Sequence, residues 1–203
     1  MSSQETAAGD TRSRILEAAL ARVRESQGEG LTMAEVAAQA GLSRQAVYLH
    51  FADRKALMIA LARYADEARY ADKERGLAAK MASILGAPSA RAAVAAMVAM
   101  QVNDNPGLWP VARLFDRLRR DDPAVDAAWQ ERLANRLAGC RAVAARFKAE
   151  GALAPHLSVD SAADLLWTLT SQQMWEELVM GRGWTAERYR SHVTYLAVGA
   201  MTK

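Results

Sequence analysis

Apolar residues recur at steps of three and four along most of this chain. Long stretches lack the alternation of a half-buried strand, which predicts an all-α protein. Residues 1–9 are small and polar and read as disordered. Asp10 or Thr11 then begins a helix with the stripe Ile15, Leu16, Ala19, Leu20 and Val23, stopped at Gly28 and Gly30. Asp53 caps a later helix that turns Leu57, Leu61 and Tyr64 inward and is expected to pass residue 70. Gly86-Ala87-Pro88-Ser89 opens a helix carrying Val94, Met97, Val98 and Gln101, and Asn103-Asp104-Asn105-Pro106-Gly107 reads as a firm break. Leu108 to Arg120 follows as a short helix. Asp122-Pro123 then supplies an N-cap and a first-turn proline for a helix bearing Val125, Trp129, Leu133, Leu137, Cys140, Ala144 and Phe147. Gly151 ends it. Val159 to Met180 reads as one long helix, terminated by Gly181 and Gly183, and Thr185 recaps a last helix running to about Ala200.

The most informative stretch is Thr32 to Phe51. Thr32 and Glu35 have capping-box spacing, Val36, Ala37 and Ala40 share a face, and Gly41 can adopt the positive φ that ends a helix. Ser43 offers a fresh N-cap to a second short helix with Val47 inward. Two such helices joined by a glycine turn form a helix-turn-helix, and Arg44, Gln45 and Tyr48 are left facing outward. An α-hairpin in a purely helical protein would share that spacing.

The flanking residues narrow the choice. Arg-Ser-Arg-Ile-Leu-Glu-Ala-Ala at 12–19, Thr32 to Ala37, Ala40-Gly41-Leu42-Ser43 and Tyr48-Leu49-His50-Phe51 together resemble the DNA-binding domain of the tetracycline-repressor (TetR) family, over roughly residues 12–57. Three positions depart from the family pattern: Val23 stands where Phe is usual, Gln45 where Gly is common, and Arg54-Lys55 where Lys-Glu is usual. The resemblance implies a helix-turn-helix domain at 1–57 and a helical effector-binding and dimerisation domain at 58–203. It also implies phosphate contacts from Thr32, Tyr48, His50 and Arg54. Ser43 would offer a hydroxyl and a helix N-terminus to phosphate. Arg44 suits guanine and Gln45 adenine, each through paired hydrogen bonds in the major groove.

Composition leaves this reading open without forcing it. The 203 residues can bury a substantial core, and 51% hydrophobic against 24% charged residues excludes a disordered chain. The net charge is only +3, so affinity for DNA must come from where charges point rather than from their number. A lone Cys140 excludes an internal disulfide or a multi-cysteine metal site. Neither a signal-peptide pattern nor a membrane-length apolar run is present, and a cytoplasmic setting is expected, with no membrane partner and no cofactor.

In the second domain Met97, Trp109, Phe115, Trp167 and Met174 are interleaved with Gln101, Thr170 and Ser171, which reads as a ligand-binding set. Flat aromatic walls and adaptable methionines suit a mostly apolar effector, and no Arg or Lys accompanies the set in the inward pattern, which disfavours a multiply charged anion such as an acyl-CoA phosphate. The same aromatics would equally serve core or dimer interface. By resemblance, a homodimer forms through residues 159–200, with Leu165, Leu169, Leu178, Val193, Leu196 and Ala197 supplying apolar surface. The expected function is regulation of transcription, most simply repression of a palindromic operator released by a small molecule. A helical ligand-binding or interaction protein without operator binding is the alternative. An enzyme is disfavoured, because His156 and His192 lack a catalytic neighbour.

Overall fold

The computed structural model describes residues 3–69 and 76–202. Its elements are α1 (Ser3–Glu25), α2 (Met33–Ala40), α3 (Arg44–His50), α4 (Arg54–Arg69), α5 (Leu77–Leu85), α6 (Ala90–Leu118), α7 (Pro123–Ala149), α8 (Val159–Leu169), α9 (Gln172–Trp175), a π-helical turn (Glu176–Gly181) and α10 (Ala186–Met201). The all-α expectation holds, and among the described residues the extended pairing is an isolated bridge between Leu153 and Thr202. None of these helices is long and apolar enough to cross a membrane.

The chain divides into two compact units, Met1–Arg69 with Gly107–Gln130 and Tyr70–Pro106 with Glu131–Lys203. This differs from a boundary at residue 57. In the first unit α4 packs on α1 through buried Leu57, Met58, Leu61 and Ala65, and the Tyr64 hydroxyl donates to Glu17 at 3.2 Å. The helix therefore belongs with the N-terminal core. Its expected course beyond residue 70 lies outside the described residues.

Three elements depart from the sequence pattern. Helix α1 begins at Ser3 rather than at Asp10, so 3–9, expected to be disordered, are helical. Thr6-Ala7-Ala8 carries no strong breaker, and a single Gly9 costs only about 1 kcal/mol against Ala. Helix α6 runs unbroken through Asn103–Gly107. Val94, Val98, Asn105, Leu108, Ala112 and Phe115 are all buried and, with Gln101, hold an uninterrupted four-three spacing across the segment. Continuity of that face outweighs the breaker composition. The expected helix over 159–180 is instead split at Thr170-Ser171. There the Thr170 hydroxyl donates to the Leu166 carbonyl at 2.6 Å, and Ser171 Oγ accepts from the Met174 amide at 3.1 Å, starting α9 afresh.

The loop after α1 is fixed inside the first unit. Arg113 pairs with Glu29 at 3.0 Å and donates to the Gln27 carbonyl at 3.2 Å, while Arg24 Nε donates to the Gly107 carbonyl at 3.3 Å. Gly28 has φ +76, and a Cβ there would run into the Pro110 carbonyl oxygen, a backbone atom that cannot swing away. Gly28→Ala is expected to destabilise by about 2 kcal/mol or more, from left-handed strain together with that clash. Chemical denaturation checks it; an unchanged midpoint would contradict this loop geometry.

In the second unit Arg146 holds the turn between α5 and α6. It donates to the Leu85 and Ala87 carbonyls, each at 2.9 Å, and pairs with Glu150, whose other oxygen accepts from the Ala90 amide. Helix α10 buries Tyr189, Val193, Ala197 and Met201 at steps of four. Outside that stripe Tyr195 and Leu196 stand in solvent, 76% and 48% exposed.

Candidate nucleic-acid interface and effector site

The helix-turn-helix is assembled by local chemistry. Thr32 and Glu35 complete the capping box, and Glu35 also pairs with Arg22 of α1 at 2.9 Å. The hydrogen bonds from Thr32, then the Arg22 guanidinium, hold the Glu35 carboxyl below its ordinary range. Gly41 takes φ +65 and ends α2, whose Ala40 carbonyl also accepts from Arg14 at 3.1 Å. Ser43 Oγ accepts from the Ala46 amide at 3.1 Å and starts α3. Val47 is fully buried, which fixes the rotation of α3.

That rotation leaves Arg44, Gln45 and Tyr48 exposed on one short helix, with His50 half-buried at its end. Arg44 and Arg54 have no ion-pair partner among the described residues, whereas Lys55 is held by Asp122 at 3.0 Å. Of the departing Arg54-Lys55 pair, Arg54 is the one without an ion-pair partner among the described residues. Ser43 keeps its O–H to donate while its oxygen caps the helix. Thr32 is differently placed, because its amide and hydroxyl donate to the same Glu35 oxygen at 2.9 and 2.8 Å. A phosphate contact from Thr32 would have to displace Glu35. Leu49, absent from the sequence-derived set, is 82% exposed beside Tyr48. An exposed leucine on a helix bearing Arg and Gln suits a thymine methyl. Its signal in the sequence is an apolar residue off the Val47 face.

The expected ligand set is divided by the fold. Trp109 and Phe115 lie in the first unit, Trp109 beneath Arg113 at 5.4 Å and Phe115 stacked on Trp129 at 6.0 Å. Met97, Gln101, Trp167, Thr170, Ser171 and Met174 lie in the second. The Thr170 and Ser171 hydroxyls are spent on the α8–α9 break, so they do not require a ligand. Sequence reasoning missed the centre of this region, Arg136 of α7. Its guanidinium donates to the Thr170 carbonyl at 3.0 Å, the Thr170 hydroxyl oxygen at 3.3 Å and the Trp167 carbonyl at 2.8 Å. It also lies 4.6 Å from the centre of the Trp167 ring. Gln101 donates to the same Thr170 carbonyl. The expectation that no cation accompanies the set is therefore corrected. The clue was available: Arg136 sits four residues before buried Cys140 and seven before buried Val143, within the apolar stripe.

Burial shapes the titration of this cluster. Desolvation lowers the Arg136 pKa and raises that of the Cys140 thiol, and it pushes the Tyr189 phenol up to about 12. Tyr189 meets the Trp175 ring edge-on at 5.1 Å. The Gln101 Oε1, Trp167 Nε1 and Tyr189 hydroxyl atoms are buried with no hydrogen-bond partner.

Residues 15–61 match the family model described as bacterial regulatory proteins, tetR family. No curated protein matches the chain. Among solved structures, a TetR family transcription regulator from Marinobacter aquaeolei VT8 is 16% identical with TM-score 0.64, covering 100% of both chains. The transcriptional regulator FadR from Bacillus subtilis, in complex with stearoyl-CoA, is 16% identical with TM-score 0.70, over 92% of this chain and 97% of that one. SmeT in complex with triclosan is 18% identical with TM-score 0.70, over 96% and 92%. At these identities the structures show the fold alone, and the family match is confined to residues 15–61. Residues 15–61 form a TetR-family helix-turn-helix domain, in a chain that has the fold of TetR-family regulators.

Proposed function

We propose that this chain is a sequence-specific DNA-binding regulator of transcription, a repressor that acts as a homodimer and is released from a palindromic operator by a small molecule. The observation that carries the reading is α3, a capped helix in a matched family domain whose outward Arg44, Gln45 and Tyr48 have no hydrogen-bond or ion-pair partner among the described residues. A single helix reads too few base pairs for specific binding. A twofold dimer reads half-sites roughly 34–36 Å apart. SmeT and FadR, structures of the same fold, hold triclosan and stearoyl-CoA respectively, which supports a small-molecule effector here. Helices α6 and α7 each carry residues of both compact units.

The regulator reading is preferred to an enzyme, and of the two histidines weighed, His192 has a structural use. His192 Nδ1 lies 2.9 Å from the Arg188 carbonyl, and its ring meets Trp184 edge-on at 5.1 Å.

The residues expected to form the dimer face differ in exposure within one chain. Val193 and Ala197 belong to the core, and Leu165, Leu169 and Leu178 are half-buried. Leu196 remains, joined by Tyr195.

The test is a mobility shift with duplexes tiled across the DNA flanking the gene. Retardation of one palindromic fragment at nanomolar protein is expected, and uniform weak binding to every fragment would reject the reading. On that fragment, Arg54→Ala and Tyr48→Phe are expected to weaken specific and non-specific binding alike. Arg54→Ala should lower the slope of log K against log salt by about one per half-site, measured by fluorescence anisotropy. An unchanged slope would remove Arg54 from the interface.

A further inference from the structure

A half-buried cation at the centre of a polar cluster commonly faces a carboxylate. Among the described residues Arg136 does not: its partners are two backbone carbonyls and a hydroxyl, all neutral. The groups acting on it electrostatically are Cys140, Arg132 and Tyr189, with no Asp or Glu among them. Three of the hydrogen-bonding options of its five-donor fork are used, which leaves at least two N–H groups, the Nε–H included. Around it, among the described residues, the Trp167 indole N–H and the hydroxyl of fully buried Tyr189 lack a partner at ordinary hydrogen-bond distance, as does one acceptor, Gln101 Oε1, whose side chain neighbours that hydroxyl. Gln101 belongs to the same group, since its amide shares the Thr170 carbonyl with Arg136 and lies close enough to Tyr189 to ease its titration. The cluster thus has an uncompensated positive charge and more donors than acceptors.

We infer that Arg136, with Tyr189 and Trp167, is a recognition site for the carboxylate of an otherwise apolar small molecule. This rests on the effector reading above and sharpens it. A carboxylate supplies the missing charge and acceptor lone pairs for the remaining guanidinium N–H groups, the phenol and the indole. The single guanidinium at the centre fits a monoanion, and the rings of Trp167, Trp175 and Tyr189 suit an aryl or alkyl body. The site lies at the break between α8 and α9, followed directly by the π-helical turn, the least regular backbone in this part of the chain.

The test uses the full chain and three pairs of probes: benzoate, 1-naphthoate and octanoate, each beside its neutral primary amide. Tryptophan fluorescence gives affinity and thermal denaturation gives stabilisation. At least one acid is expected to bind tenfold or more tightly than its amide. In Arg136→Gln that ratio should fall to near one, and in Tyr189→Phe, which removes only the hydroxyl, it should fall severalfold with the fold intact. Tyr189→Phe keeps the test decisive if Arg136→Gln fails to fold. A purely structural Arg136 would show as lost stability in Arg136→Gln with no preference for acids in the wild type, and that result overturns the inference. So does equal binding of acids and amides, or no binding of any probe at millimolar concentration. Operator affinity measured in parallel separates the two readings. Acid-selective binding without effect on DNA keeps the site and rejects its effector role. Release by amides as readily as by acids keeps the effector reading and rejects the carboxylate.

Discussion

Arg44→Ala is expected to weaken binding of a palindromic operator by about 2–6 kcal/mol per dimer, about 30-fold to more than ten-thousandfold. The figure follows from about 1–3 kcal/mol for each lost bidentate contact to guanine, counted once in each half-site. Gln45→Ala should act over the same range at the neighbouring base pair, and both should relax preference there rather than everywhere. The size of the effect depends on how little Arg44 does for the folded protein. It is exposed on the first turn of α3, has no partner among the described residues, and contributes nothing to the Val47 core that orients the helix. Alanine is also the better helix former, so stability should be unchanged. Competition anisotropy against operators mutated base by base checks the claim. A uniform loss across all variants would make Arg44 a phosphate contact. No loss would put the DNA face elsewhere.

The helix-turn-helix was legible because every signal that builds it is local. Thr32, Glu35, Gly41 and Ser43 act on backbone within a few residues of themselves, and the structure uses each in the way its residue type suggests. The second unit was less legible because its decisive choices are settled at a distance. At Asn103–Gly107 composition suggests a break, yet Pro106 and Pro110 are carried within one helix whose buried face keeps its period on either side. At Thr170-Ser171 the reverse holds. Nothing apolar interrupts the pattern, but two adjacent hydroxyls offer the backbone local bonds, and Gln101 and Arg136 donate from other helices to the Thr170 carbonyl. Arg136 itself was hidden by the habit of reading arginine as solvent-facing. A guanidinium in an apolar stripe is a stronger signal than the threonine and serine beside it, because its burial is far more expensive unless something meets it.

Assembly carries the other large effect. Tyr195→Glu and Leu196→Glu are each expected to convert the protein to a monomer at micromolar concentration and to abolish specific operator binding, while leaving the helical content unaltered. Helix α10 is committed to its own unit on one side only, through Tyr189, Val193, Ala197 and Met201. Outside that stripe it shows a tyrosine at 76% and a leucine at 48% exposure, with Gly199 and Ala200 also exposed. Small residues let a second helix approach closely, and the large ones then lose water. Burying one such side chain is worth about 1.5–3 kcal/mol, and twofold symmetry counts each substitution twice. A glutamate must instead be buried against its own symmetry mate or remain in water, which prevents closure. Removing 159–203 would be a poorer experiment, since it also takes the α10 side chains out of the core. Sedimentation velocity across a concentration series reads the outcome, with circular dichroism as the control on folding. If both charged variants sediment as dimers and bind the operator normally, the α10 face is not the interface. If they are monomeric yet bind the operator with unaltered affinity, each half-site is read independently and the need for a dimer falls.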